Sequence, residues 1–296
     1  MLCPIIIFAF NRIDALKNTI QSLLLNSESV ESDLFLFVDG ARPNKIGENE
    51  KVKEVREYVK TITGFNSVHY SFAEKNQGLA ISVINGVTQI INQYGKVIVL
   101  EDDLVISRNF LSFMNQALDL YENKDDVFSI CGYTNRINVP HDYKEDAYFC
   151  VRSSSWGWAT WADRWNSVDW LLKDWNAVKK NRKAFNEWGG SDCFSMLQSW
   201  KNGKISSWAI RFSYSQFKQK KVSLFPITSK VKNDGFDGSG TNCKKWSRFK
   251  YDFDESNNKN YLFPISTELN NKLYRSAIRY NSILIRIWSR IMYIIH

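Results

Sequence analysis

A chain of 296 residues, 44% of them hydrophobic and 15% aromatic, has enough apolar surface for one large domain or two intimate ones, and 14 Gly and 5 Pro without a low-complexity tract exclude a fibrous or disordered chain. A formal charge of +8 suits anionic partners, but much of the excess lies in the last quarter and no nucleic-acid motif accompanies it, so no nucleic-acid partner is expected. The five cysteines (Cys3, Cys131, Cys150, Cys193 and Cys243) are odd in number and lack a C-x-x-C pair, which excludes a disulfide framework and argues for reduced thiols in a cytoplasmic protein, against a zinc site.

The opening "MLCPIIIFAFNR" has neither a basic leader nor a cleavage site, and it reads as a buried strand over residues 4–10. Leu16, Ile20, Leu23 and Leu24 then mark a helix. A second strand, "LFLFVDG" at 34–40, ends on Asp39 and Gly40. Val52, Val55, Val59 and Ile62 line another helix, followed by a strand at 67–73 and a helix over 79–92. The run "VIVLEDDLVI" at 97–106 is a fourth strand that leaves the core at Glu101, Asp102 and Asp103. This alternation predicts an α/β fold: a parallel sheet with helices on both faces, with ligands at the carboxyl ends of the strands. Asn11, Arg12, Asp39 and the acid triplet all fall there.

Beyond the acids, Ser107 is a candidate cap for a helix burying Phe110, Phe113, Met114 and Tyr121. Strands are expected at 127–132 and 147–151, helices near 157–175, 192–202 and 207–219, and a strand or turn region at 222–231. No linker separates this part from the first, and no run reaches the ~20 apolar residues of a spanning helix.

Adjacent carboxylates about 4 Å apart repel by roughly 4 kcal/mol at an effective dielectric near 20. A divalent cation, Mn²⁺ or Mg²⁺, offsets that cost and takes carboxylate plus phosphate oxygens. The alternative is a solvated acidic turn that caps the next helix.

"VIVLEDDLVISRNFLSFMNQAL" resembles the acidic motif and following helix of GT-A glycosyltransferases, in particular bacterial relatives of the N-acetylglucosaminyltransferase I family. The resemblance implies a single large Rossmann-like GT-A domain over 1–262, its sheet mixed, mostly parallel and flanked by helices, with a nucleotide-sugar-binding half (1–104) and an acceptor-binding half (105–262). It implies Asp103 as the metal ligand, Asp102 near the ribose or donor sugar, and Glu101 near the donor sugar. "PIIIFAFNR" resembles the family's first strand, which puts Phe10 and Arg12 at the nucleobase. "FVDGAR" resembles its second, with Asp39 on the uracil. "EKNQGLAISVINGV" resembles a segment lining the nucleotide pocket, here Asn76, Gly78 and Ser82.

In "SSSWGWATWADRWNSVDWLLKDW" flat apolar rings suit pyranose stacking, although helix core is the plainer reading for most of these tryptophans. "SWGW" resembles the family's Gly-Trp segment, which implies Trp156, Gly157 and Trp158 on the acceptor side. "NDGFDGSGTNC", at 233–243, resembles a loop that folds over the diphosphate, and its composition fits an ordinary exposed turn equally.

An inverting transfer needs a general base. The family's is an Asp before a Trp at a helix start, and the matching "KISSWAIRF" offers only Ser206 and Ser207 before Trp208. Asp192, Asp234 and Asp237 are the substitutes. The resemblance therefore implies a metal-dependent transferase moving a hexose or N-acetylhexosamine from a UDP-sugar to a glycan or lipid-linked glycan hydroxyl, as in bacterial capsule or lipopolysaccharide assembly. A catalytically impaired nucleotide-sugar-binding subunit is the alternative, and a sugar-1-phosphate nucleotidyltransferase a third, disfavoured because no Gly-rich loop follows the first strand.

Residues 263–296 form a basic amphipathic tail. On one helix Lys272, Arg275, Arg279, Arg286 and Arg290 fall within a ~60° stripe beside apolar side chains. Membrane-surface contact through 272–295, docking on the domain, and a homodimer contact are the three readings.

Overall fold

The computed structural model describes residues 2–235 and 250–295. Its first half follows the sequence pattern closely. Strands β1 (Ile5–Ala9), β2 (Asp33–Val38), β3 (Ser67–Phe72) and β4 (Lys96–Glu101) run parallel in the order β3-β2-β1-β4, linked by α1 (Ile13–Leu24), α2 (Glu48–Val59) and α3 (Leu79–Tyr94). β1 is apolar without interruption because helices cover both its faces. Ile5, Ile7 and Ala9 pack toward α1 and α2, while Ile6 and Phe8 pack toward α3.

The second half extends the same sheet. β6 (Val127–Cys131), β7 (Ala147–Cys150), β8 (Trp158–Trp161) and β9 (Val222–Pro226) complete eight strands in the order β3-β2-β1-β4-β8-β6-β9-β7. β8 runs antiparallel to both β4 and β6, so the sheet is mixed but mostly parallel in its first half, as expected. β5 (Leu104–Ile106) and β10 (Val231–Asn233) form a separate antiparallel ribbon below the end of β4.

Three expectations are corrected. Residues 157–175 are not one helix: β8 precedes the short α5 (Ala162–Asn166). The i, i+3 spacing of Trp158 and Trp161 imitates helical periodicity, but pairing with β4 and β6 buries both sides of the segment, so alternation prevails. The region 222–231 divides between β9 and β10, in different sheets. Helix α4 (Phe110–Tyr121) is preceded by Asn109 rather than capped by Ser107, whose hydroxyl instead donates to Asn109 Oδ1 at 2.7 Å.

Helices α6 (Trp175–Lys180), α7 (Arg182–Gly189), α8 (Cys193–Lys201) and α9 (Ala209–Lys218) build a second layer beside the sheet. The C-terminal segment is two helices, α10 (Asn271–Ile278) and α11 (Ile283–Ile295). A 3-10 turn and extended backbone at Ser282 (φ −69°, ψ 154°) interrupt them, so the basic residues do not share one continuous stripe. α10 packs Leu273 and Ala277 against Tyr148 and Cys150 of β7.

Candidate active site at the strand ends

β4 delivers Glu101 to the carboxyl edge of the sheet, and Asp102 and Asp103 turn the chain into β5. Backbone bonds fix the turn: Asp102 N–H donates to Phe8 O (3.1 Å), and the Thr19 hydroxyl donates to Asp102 O (3.0 Å). Phe10 N–H donates to Asp102 Oδ2 at 3.2 Å. Arg12, immediately before α1, forks its guanidinium onto Asp102 and onto Asp103, the latter at 3.0 Å. Arg12, for which the resemblance implies a place at the nucleobase, sets its guanidinium against the acids as their counter-charge.

One guanidinium does not balance three carboxyls. Burial, then Asp103 and Asp102, push Glu101 up to about 8. Burial pushes Asp102 up to about 6 against the pull of Arg12. The β5–β10 ribbon brings a second chain segment onto the cluster. Asp234 N–H donates to Asp103 O at 3.0 Å, and a Cβ at Gly235 would overlap Asp103 Oδ2. The start of the 233–243 stretch therefore lies on the acid. Its remainder, with Asp237, lies outside the described residues.

Asp39, at the end of β2, is buried and already engaged. Its carboxylate accepts from Gly40 N–H (2.8 Å), Gln77 N–H (2.9 Å), Gly78 N–H (2.9 Å) and the Asn76 amide (3.1 Å). Two oxygens with about four lone-pair sites are filled by these donors. Asp39 thus latches the turn that starts α3, where Gly78 takes φ +78°. Asp39, Gln77 and Ser82 border an open groove of about 660 Å³. Phe10 lies under the Arg42 guanidinium at 5.5 Å, and Arg42 in turn pairs with buried Glu48. Glu48 also accepts from Asn11 at 3.2 Å. Arg42 and Glu48 close one side of the strand-end crevice. Sequence reading missed them, although Arg42 stands in the "FVDGAR" stretch.

On the other side of β4, Trp158 pairs with Val99, and Gly157, just before β8, comes up against Leu100. Gly157 (φ +61°) sits 2.7 Å, measured from an added Cβ, from Val231 and 3.3 Å from Leu100. The close approach is a packing one. Trp158 is only 2% exposed and stacks on Trp208 (4.7 Å) and Trp165 (5.6 Å), so its ring belongs to the core and the acceptor-side expectation is corrected for it. Trp156 meets Tyr133 edge to face (4.5 Å) and lines a cavity of about 260 Å³ with Ser153, Ser155, Asn135, Ser213 and Asn281.

Asp192 is engaged in a buried ion pair. Arg152 holds it through two bonds (2.8 and 3.2 Å), and despite burial the guanidinium keeps its carboxyl below the ordinary range. A carboxylate that resists protonation accepts a proton poorly. Ser206 and Ser207 precede Trp208 at the start of α9, whose Ala209, Ile210 and Ser213 face the cavity. Among the described residues lining it there is no Asp or Glu.

No family model matches the chain, and no curated protein sequence matches it. Solved structures share part of its path. S. aureus TarS 1–349 in complex with UDP superposes with a TM-score of 0.43 at 13% identity, over 78% of this chain and 60% of that one. The glycosyltransferase GlyE of Streptococcus pneumoniae TIGR4 gives 0.36 at 11% identity, over 75% and 45%. The 4-diphosphocytidyl-2C-methyl-D-erythritolsynthase of Anaerococcus prevotii gives 0.39 at 10% identity, over 78% and 90%. This chain spans 36% of full TarS.

Proposed function

We propose that the protein is a glycosyltransferase that holds a nucleoside diphosphate sugar at the carboxyl edge of β1, β2 and β4 and presents it to a hydroxyl acceptor in the Trp156 cavity. One observation carries the reading: an under-neutralised acid cluster follows β4, and the strand paired beside it, β8, begins two residues after the Trp156 that lines an aromatic and hydroxyl-lined cavity.

The residues present fit a divalent cation. Asp103 is a carboxylate against which the backbone at Gly235 is closed to any side chain, and it shares a single guanidinium with Asp102, so two carboxylates meet one positive charge. Among the described residues no three acids, histidines or cysteines converge as a ready cage, so Asp103 would hold Mn²⁺ or Mg²⁺ together with oxygens of the diphosphate. When bound, the ion supplies Lewis-acid stabilisation of the departing diphosphate. Arg12 orients Asp102 and Asp103 toward that place, Asp39 holds the turn bordering the nucleotide groove, and Trp156 offers a ring face to a sugar.

The test is release of nucleoside diphosphate from a panel of UDP-sugars, with and without Mn²⁺. Metal-dependent release is expected, reduced at least about 100-fold in Asp103→Asn with folding unchanged. A second reading is favoured by the absence of Asp and Glu among the described residues that line the cavity: a subunit that binds nucleotide sugar without transferring it. Donor binding by calorimetry with no turnover on any donor or acceptor would select it.

A further inference from the structure

The C-terminal helix α11 turns its apolar side outward. Ile283, Leu284, Ile287, Trp288 and Ile291 are 60, 76, 51, 49 and 51% exposed. Their i, i+1, i+4, i+5, i+8 spacing makes one ridge along the helix. The side facing the body is polar: Arg286 donates to the Ser191 hydroxyl at 3.0 Å, and Ser289 is 1% exposed. A helix on a water-facing surface has the opposite arrangement, and a ridge of this size on a monomer marks an interaction site.

Charge selects the occupant. From residue 269 to 296 the chain holds five Lys or Arg and no Asp or Glu. Lys272, Arg275 and Arg279 are exposed, as are Lys179, Lys180, Arg182 and Lys183 on α6 and α7. Arg182 and Lys183 share a surface depression with Ser191, the residue that Arg286 contacts. A second copy docked two-fold on the ridge would set these basic flanks against each other, and like charges repel. An anionic bilayer gives both what the surface lacks: hydrocarbon for the ridge and phosphate for the flanks. At 13 residues α11 spans about 20 Å, short of the ~30 Å hydrocarbon core, and no described helix is long and apolar enough to cross a membrane.

We infer that α11 is an interfacial helix that docks the protein on an anionic lipid surface. Its consequence rests on the transferase reading. Ala277, Ile278 and Asn281, which form one wall of the Trp156 cavity, lead directly into α11, so docking holds that cavity at the bilayer surface. The acceptor class that such a cavity serves is a glycan carried on a lipid.

The experiment is flotation of the full chain with phosphatidylcholine vesicles, with and without about 30% phosphatidylglycerol. Expected is binding to the anionic vesicles at least about tenfold tighter than to neutral ones, weakening steeply between roughly 0.1 and 0.5 M salt. The double variant L284D/I287D should lose binding while its near-ultraviolet circular dichroism stays that of the parent. Absence of binding, or equal binding by the variant, overturns the docking. So does a homodimer in sedimentation that the same substitutions dissociate without any lipid effect. No donor is present, so failure of the transferase reading leaves this result standing. The acceptor class is checked separately: transfer to a vesicle-borne glycolipid should exceed transfer to the same soluble glycan, and equal rates would overturn it.

Discussion

Arg12 and Arg152 each meet carboxylates under cover of the fold, yet they leave opposite electrostatics behind. Arg152 meets one carboxylate, Asp192, through two hydrogen bonds, and also donates to Gly189 O at 3.1 Å and to Met196 Sδ at 3.6 Å. The charges cancel, and Asp192 is held ionised. Arg12 meets Asp102 and Asp103 with Glu101 alongside, so negative charge remains, and Glu101 and Asp102 both rise in pKa. A balanced buried pair is a closed structural element. An unbalanced cluster at a strand end retains an attraction for positive charge, which is what a cation-assisted diphosphate site requires.

The comparison breaks most visibly at Arg152. Arg152→Ala leaves Asp192 buried without its partner, and removal of one member of such a pair costs about 3–5 kcal/mol. Urea unfolding of the variant should show that loss, and the double variant R152M/D192L should recover most of it, because apolar side chains can fill the same volume. Recovery would show that the charges themselves are not needed for stability. A double variant that remained as unstable as the single one would show that another group depends on Asp192.

Arg12→Ala should cost less, about 2 kcal/mol, because hydrogen bonds to charge are worth about 1.5–3 kcal/mol and part of the loss is regained as the acids protonate. The distinguishing measurement is thermal unfolding with millimolar Mn²⁺. The ion should raise the Tm of Arg12→Ala more than that of the parent, since it replaces the missing guanidinium. No such difference is expected between Arg152→Ala and its parent. Equal metal shifts in all of them would remove the case for a cation seat at Asp103.

These two clusters also separate what the sequence reveals from what it hides. The acid triplet is visible because an apolar run of four residues ends on it, and the β-α alternation up to Glu101 places that end at the sheet edge. Which group neutralises it is not visible, since Arg12 and Asp102 are 90 residues apart and meet only through the pairing of β1 with β4. Asp39 was likewise legible as a strand-end acid, but three of its four donors come from a turn nearly 40 residues away. The second half was harder to read because its tryptophans satisfy two periods at once. Trp158, Trp161 and Trp165 fit a helix stripe, and only burial from both sides makes a strand of the first two. Asp192 looked available as a base for the same reason: local sequence does not show Arg152 reaching it across 40 residues.

The smallest effect is a slope with pH, and there the two clusters differ in sign. Glu101 titrates near 8 in the folded chain against an ordinary 4.5, so between those values the folded state binds more protons than the unfolded one. Stability in the presence of a chelator must then fall as pH rises through that window. Asp192, held below its ordinary range, contributes stability that is present above that range and is lost only on acidification through its folded value. Glu101→Gln removes the first contribution while keeping the shape of the side chain. Tm measured in chelator from pH 5 to pH 8 should decline less in the variant than in the parent, and the acid-side loss below pH 4 should be common to both. Parallel curves across the upper window would mean that Glu101 is ionised at neutral pH, with Arg12 sufficient for all three acids, and the asymmetry between the two arginines would disappear.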